Sequence, residues 1–269
     1  MSEERDTVAE ALESPLIPRV SVIVPFFNSE AFLVPCIEAL RTARDEAAGR
    51  AQVELLFIDN GSSDASASLA SRFDDVRVLR EEQSGAYPAR NAGLRAATGS
   101  IIAFTDADCA VAPDWIRVIC RRMADPSVGM LIGEVHFPEA AGLVLRLVAG
   151  WENAKADYVA RKGTPSNRIA YCNNMAVRAD LFHRLGPFRD WKRAGDSEFA
   201  QRVARERPEL AFDFEPAMKV THYEFLRARD RFRRMRLYTQ TNAQIQGFAE
   251  LTLGQRLAIL GHWLSAQRR

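Results

Sequence analysis

The chain is poor in cysteine. Four occur in 269 residues (Cys36, Cys109, Cys120 and Cys172), and none is spaced as CxxC. A chain of this size does not need disulfide staples, so the four read as reduced thiols of a cytosolic protein. Long apolar runs are missing too: no stretch reaches the roughly 20 residues of a transmembrane helix. Charge of one sign is not in excess, with 36 Lys and Arg against 35 Asp and Glu. That balance argues against a nucleic-acid protein recruited by overall positive charge. Neither GxGxxG nor GxxxxGK[ST] is present, which removes the main support for dinucleotide and P-loop sites. The first residues, "MSEERDTVAEALESPLIPRV", are acidic and carry no apolar signal core. They read as a disordered or loosely attached lead over residues 1–18, and not as a secretory leader.

What is present is a regular alternation. "RVSVIVPFF", "QVELLFIDNGSSD", "DVRVLR" and "SIIAFTDADC" read as strands, separated by helical patterns in "SEAFLVPCIEALRTARDEAA", "DASASLASRF" and "AYPARNAGLRAATG". Such alternation predicts an α/β fold with a mostly parallel sheet flanked by helices. Ligands in such sheets sit beyond the carboxyl ends of the strands, where Pro25–Asn28, Asp59–Asp64 and Asp106–Asp108 all fall. After Trp115 the pattern loosens. "DWIRVICRRMA" is a helix, "VGMLIGEVHF" a strand, and "AGLVLRLVAGWENAKADYVARK" a helix interrupted near Gly150. "IAYCNNMAVR" is a strand, "ADLFHRLG" and "SEFAQRVARE" are helices, and two short strands flank "LAFDFEPAMKVTH". A basic helical region and an apolar last helix close the chain.

The pair Asp106 and Asp108 needs a reason. In an extended strand the two carboxylates share a face. At roughly 6 Å they repel by about 3 kcal/mol at an effective dielectric near 20. A hard divalent cation bound with substrate phosphates would offset that; a solvated turn is the plain alternative. Asp59 suits a ribose hydroxyl or a base N–H, or simply an Asx-turn, and Asp64 suits a helix N-cap. Arg90 lies on the helix after Gly85 and could hold phosphate oxygens. Asp196 precedes an apolar-periodic helix. It could be an N-cap, yet position 199 is Phe and no capping box forms. A carboxylate on that loop, with Trp191 nearby and Glu198 following, suits a general base facing a sugar-like acceptor. His222 ends a strand and is either structural or an imidazole ligand. Six arginines between Arg227 and Arg236 form a basic face, solvated or directed at anionic lipid or a diphosphate. Leu253, Leu257, Leu260 and Leu264 recur on one helical face, which is expected to pack on the domain.

"SVIVPFFNSEAFL", "LLFIDNGSSDAS", "GAYPARNAGLRAATGSIIAFTDADC" and "AGDSEFAQRV", in that order, resemble the family 2 glycosyltransferases of the GT-A fold. The resemblance is dense from Val20 to Cys109 and returns around Asn173–Val203. It implies a GT-A catalytic domain over residues 19–223, with a nucleotide-binding half (19–110) and a smaller acceptor half (111–223), followed by a C-terminal helical extension over 224–269. Pro25, Phe27 and Glu30 would help hold the nucleoside, Asp59 the base, and Arg90 the nucleotide. Phe27 stands where the family often has tyrosine, and Asn60 where a second acid is common. Asp106-Ala107-Asp108 matches the DxD motif, which binds ribose and a divalent metal, manganese or magnesium. His222 would complete that metal site. Asp196 matches the catalytic base, although the acid that often precedes it is Gly195 here.

The implied activity is inverting transfer of a sugar from a nucleoside-diphosphate donor, UDP-linked by family habit, to an acceptor hydroxyl. The acceptor is open among lipid-linked glycan, polysaccharide, peptide and small molecule. Nucleic acid is not an expected partner. The expected location is cytoplasmic, with peripheral contact at the inner face of the membrane. Two rival classes are a sugar-phosphate nucleotidyltransferase, which would release pyrophosphate, and a non-catalytic nucleotide-sugar binder.

Overall fold

The computed structural model describes residues 17–223, 245 and 249–266. Eight strands form one sheet: β1 (Arg19–Phe26), β2 (Gln52–Asp59), β3 (Arg77–Arg80), β4 (Ile101–Thr105), β5 (Cys109–Val111), β6 (Val128–His136), β7 (Asn174–Arg178) and β8 (Ala211–His222). Their spatial order is β3-β2-β1-β4-β7-β6-β8-β5. The β1–β2, β1–β4, β2–β3 and β6–β8 neighbours are parallel; β4–β7, β6–β7 and β5–β8 are antiparallel. The sheet is therefore wholly parallel on the β3–β4 side and mixed beyond it.

Helices cover both faces: α1 (Leu33–Glu46), α2 (Ser66–Ala70), α3 (Ala86–Ala96), α4 (Trp115–Met123), α5 (Gly142–Lys162), α6 (Ala179–Leu185), α7 (Gly195–Glu206) and α8 (Leu253–Ala266). Alternation along β1 explains its continuous apolar run. Val20, Val22, Val24 and Phe26 enter the core under α1 and α4, while Ile23 enters the one under α3, α6 and α7. A strand buried on both faces leaves no room for polar alternation.

Several details differ from the sequence reading. The stretch over 211–222 is one strand, not two, bent where its register against β6 slips between Gly133 and Glu134. Gly133 is required there, because a Cβ would lie 2.1 Å from the Met218 carbonyl. Helix α5 runs unbroken through Gly150. Leu253, Leu257, Leu260 and Leu264 face outward instead of packing on the domain. The expected basic face between Arg227 and Arg236, and the lead up to residue 16, lie outside the described residues.

Candidate active site

The carboxyl ends of β1, β2 and β4 open into a cleft of about 490 Å³, lined by Pro25, Phe27, Asn60, Gly85, Arg90, Asp106 and Asp108 among others. The loops after β1 and β2 are stitched together to form one wall. Asn28 Oδ1 accepts from the Ser63 N–H at 2.8 Å, and Glu30 Oε2 accepts from the Ala65 N–H at 3.1 Å. Asp64 accepts from the Glu30 N–H at 3.2 Å and from the Ser66 N–H at 3.0 Å. Asp59 is buried, accepting from the Ser62 N–H at 2.9 Å and pairing with Arg80 at 3.3 Å. Glu30 and Asp59 thus shape the wall through their own hydrogen bonds. Neither lines the cleft.

The acidic pair is not on an extended strand. Asp106 to Asp108 form a turn between β4 and β5, closed by a hydrogen bond from the Cys109 N–H to the Asp106 carbonyl. The same-face argument therefore fails, and the two carboxylates take different partners. Asp106 pairs with the buried Arg90 guanidinium, delivered from α3. Asp108 lies 3.5 Å from His222 Nε2. Antiparallel pairing of β5 with β8, which sets Cys109 opposite His222, makes that meeting possible.

Asp108, Cys109 and His222 place their ligand-type atoms within 4.8 Å of one another. His222 Nδ1 is buried and has no hydrogen-bond partner among the described residues. A carboxylate and an imidazole with an unfilled lone pair or proton suit a borderline cation such as manganese. Cys109 fits such an ion poorly, because burial and the nearby Asp108 and Asp106 hold its thiol well above the usual range. Asp106, paired with Arg90, stands outside this trio.

Asp196 approaches from the other side. It sits in the first turn of α7, not at the N-cap, which is Ala194 at φ 63°. One carboxylate oxygen accepts from the Tyr87 hydroxyl at 3.1 Å and the Ser197 N–H at 2.9 Å; the other accepts from the Cys172 N–H at 3.2 Å. The Asp196 N–H in turn donates to the Tyr87 oxygen at 3.3 Å, which turns the hydroxyl proton toward the carboxylate. Burial pushes the Asp196 carboxyl above the usual carboxylate range, against the opposing pull of Arg90 and the donated hydrogen bonds. Arg90 lies over the Tyr87 ring, 5.6 Å from its centroid, and so links the acidic turn to Asp196.

Tyr87 was not singled out by the sequence reading. Its place depends on Gly195, where a Cβ would lie 3.0 Å from the tyrosine ring. Glycine at that position, where the family often has an acid, is what admits the ring. Of the two expected acceptor-side residues, Glu198 is buried with its carboxylate on Arg189 and Arg202, each at 3.1 Å. Trp191 is half-buried against Arg189.

The eight-stranded α/β sheet flanked by helices matches the fold of solved GT-A glycosyltransferase structures. A mannosyltransferase from Pyrobaculum calidifontis, solved with GDP-mannose and Mn2+, matches at TM-score 0.65 and 22% identity, covering 98% of this chain and 81% of its own. The glucosyl-3-phosphoglycerate synthase of Mycobacterium tuberculosis, solved with Mn2+, UDP and glucosyl-3-phosphoglycerate, matches at TM-score 0.61 and 19% identity, covering 90% and 84%. The sequence pattern that defines Glycosyl transferase family 2 matches residues 21–186, and the chain belongs to that family. Glycosyltransferase AglE of Haloferax volcanii is 29% identical over 177 residues, which span 64% of this chain and 56% of that relative. The match thus spans little more than half the length of that relative. Among the described residues no helix is long and apolar enough to cross a membrane.

Proposed function

We propose that the chain catalyses inverting, metal-dependent transfer of a sugar from a nucleoside-diphosphate donor, UDP-linked by preference, to an acceptor hydroxyl. The observation that carries this reading is the meeting of Asp108 with His222 in the cleft that Arg90 connects to Asp196. The donor nucleoside lies against Pro25 and Phe27, whose ring is 58% exposed at the rim and free to stack. Arg90 and Asp106 hold the ribose and diphosphate end. Asp108 and His222 hold Mn2+ or Mg2+, which when bound supplies Lewis-acid stabilisation of the charge on the departing diphosphate. Two solved relatives that carry Mn2+ with a nucleotide support the same choice of ion.

Asp196 accepts the proton of the acceptor hydroxyl as that oxygen attacks the anomeric carbon, contributing about 10²–10⁴-fold. The sugar–diphosphate bond breaks on the opposite side, so a single displacement inverts the anomeric centre. Its burial suits the task, since a raised carboxyl pKa makes a stronger base near neutral pH. Glu30, Asp59, Trp191 and Glu198 act in this reading by shaping the cleft walls. The site of action is cytoplasmic, with peripheral contact at the membrane.

Calorimetric titration with uridine, guanosine and thymidine diphosphates, each with manganese and with chelator, tests the donor half. Metal-dependent binding of one of them is expected, tightest for uridine diphosphate. Asp196→Asn tests the other half: nucleotide binding is retained while transfer is lost. Turnover unaffected by that change removes Asp196 from the role of base.

A further inference from the structure

Two adjacent asparagines stand where a turn leads into β7, and the fold uses them differently. Asn174 is fully engaged: it accepts from the Trp115 indole at 2.8 Å and donates to the Glu134 and Met218 carbonyls at 2.9 and 2.8 Å. Asn173 is not. Its side chain is partly exposed, its Oδ1 is buried with no hydrogen-bond partner, and its Nδ2 donates to no group among the described residues. A turn asparagine ordinarily bonds its own nearby backbone, and this one does not. An unpaired buried acceptor is destabilising, and in a native protein it calls for a reason.

The backbone on either side places that amide. The Asn173 carbonyl accepts from the Thr105 hydroxyl at 3.0 Å, one residue before Asp106. One residue earlier, the Cys172 N–H donates to Asp196 at 3.2 Å. A hydrogen bond from the Asn174 N–H to the Tyr171 carbonyl at 3.1 Å closes the turn. The buried Cys172 thiol lies within the fields of Arg90, Asp196 and Asp106 together. Residue 173 therefore bridges the end of β4, on the diphosphate side of the cleft, to the start of α7, where the base stands. In a single displacement the anomeric carbon lies between the departing diphosphate oxygen and the attacking hydroxyl. The ring of the transferred sugar must then occupy this same gap.

An amide suits a sugar hydroxyl, because each of the two can both donate and accept. It also adds no charge beside Asp106 and Asp196. Its terminal side-chain torsion is broad, so either end can turn to the ligand.

We propose that the Asn173 amide binds a hydroxyl of the transferred sugar and helps determine which donor sugar is selected. The role rests on the glycosyltransferase reading above, and adds to it a residue for the sugar itself beside those for nucleotide, metal and proton.

The test is calorimetry with Mn2+ on the full chain, wild type and Asn173→Ala. The ligands are UDP-glucose, UDP-galactose, UDP-N-acetylglucosamine and GDP-mannose, beside bare UDP and GDP. Toward the sugar nucleotide that the wild type binds tightest, the variant is expected to bind roughly tenfold more weakly, the equivalent of one lost hydrogen bond. Its affinity for the bare nucleotide stays the same, and the spread among the three UDP-sugars narrows. Because the amide makes no bond within the fold, Asn173→Ala is also expected to melt at or above the wild-type temperature. Equal weakening toward bare and sugar-linked nucleotide, or a melting temperature several degrees lower, would make Asn173 structural and overturn the proposal. An unchanged ratio of the two affinities overturns it as well. Failure of the wild-type protein to bind any of these nucleotides would instead sink the glycosyltransferase reading, and leave the thermal result for Asn173→Ala standing.

Discussion

Replacing Tyr87 with phenylalanine removes one oxygen and little else. The ring keeps its packing against Phe188, 5.6 Å away, and its place under Arg90. What disappears is the hydrogen bond that the hydroxyl donates to Asp196 at 3.1 Å. A hydrogen bond to a charged group contributes about 1.5–3 kcal/mol, and one pKa unit corresponds to about 1.4 kcal/mol. Tyr87→Phe is therefore expected to raise the Asp196 pKa by roughly one to two units. Its folded-state pKa is already above the ordinary value because of burial. A base works only when ionised, so activity is present above that pKa and is lost as pH falls through it. The acid limb of the kcat/KM profile moves to higher pH by the same roughly one to two units, while the plateau changes by less than about tenfold, because a more basic carboxylate partly compensates. Gly195→Ala reproduces the shift by a different route, since its Cβ would stand 3.0 Å from the ring and displace the hydroxyl. An acid limb that stays in place in both variants, with fold and nucleotide affinity intact, would refute the idea that Tyr87 sets the state of Asp196.

Other expectations concern the metal, the sheet and the thiols. Asp108→Ala should abolish metal-dependent nucleotide binding in calorimetry and leave the melting temperature nearly unchanged, since its carboxylate is partly exposed; an unaltered manganese dependence contradicts the metal assignment. Asn174→Ala removes a buried side chain that accepts from Trp115 at 2.8 Å and donates to the Glu134 and Met218 carbonyls at 2.9 and 2.8 Å. Urea unfolding should show a loss of about 3–4 kcal/mol, and a loss under 1 kcal/mol would mean that water replaces those bonds. Cys36, Cys109 and Cys172 are buried, whereas Cys120 is half-buried with its thiol pushed up to about 11 by burial. Thiol labelling of the native protein at pH 8 should be slow overall and reach Cys120 first. Rapid labelling of Cys109 would show that the β5 edge opens.

The parallel part of the fold was legible because strands buried on both faces carry unbroken apolar runs, as "VIV" in β1 and "LLFI" in β2 do. The second half was harder to read for a physical reason. Strand β5 has three residues and exists only because β8, far along the chain, pairs with it. Nothing local distinguishes Cys109–Val111 from a continuation of β4, so the turn at Asp106–Asp108 was hidden. Asp196 could be found from its own segment. Tyr87 could not, because its hydroxyl reaches Asp196 only where Gly195 has no side chain. The leucines of α8 mark a helical stripe in any reading, and periodicity says nothing about which way the stripe faces. His262 and Ile259 decide that.

The same short β5 has a thermodynamic consequence. Its three residue pairs with β8 close the outer edge of the sheet, and one of them joins Cys109 to His222. A cation held by Asp108 and His222 would therefore act as a rivet through that edge, tying ion affinity to the fraying of a strand. Each hundredfold excess of ion over its dissociation constant would add about 2.7 kcal/mol to edge closure. Amide exchange at Ala112 and Tyr223, whose N–H groups donate across that edge to the Lys219 and Asp108 carbonyls at 3.0 and 2.8 Å, then becomes a gauge of ion occupancy, readable with no nucleotide and no acceptor present.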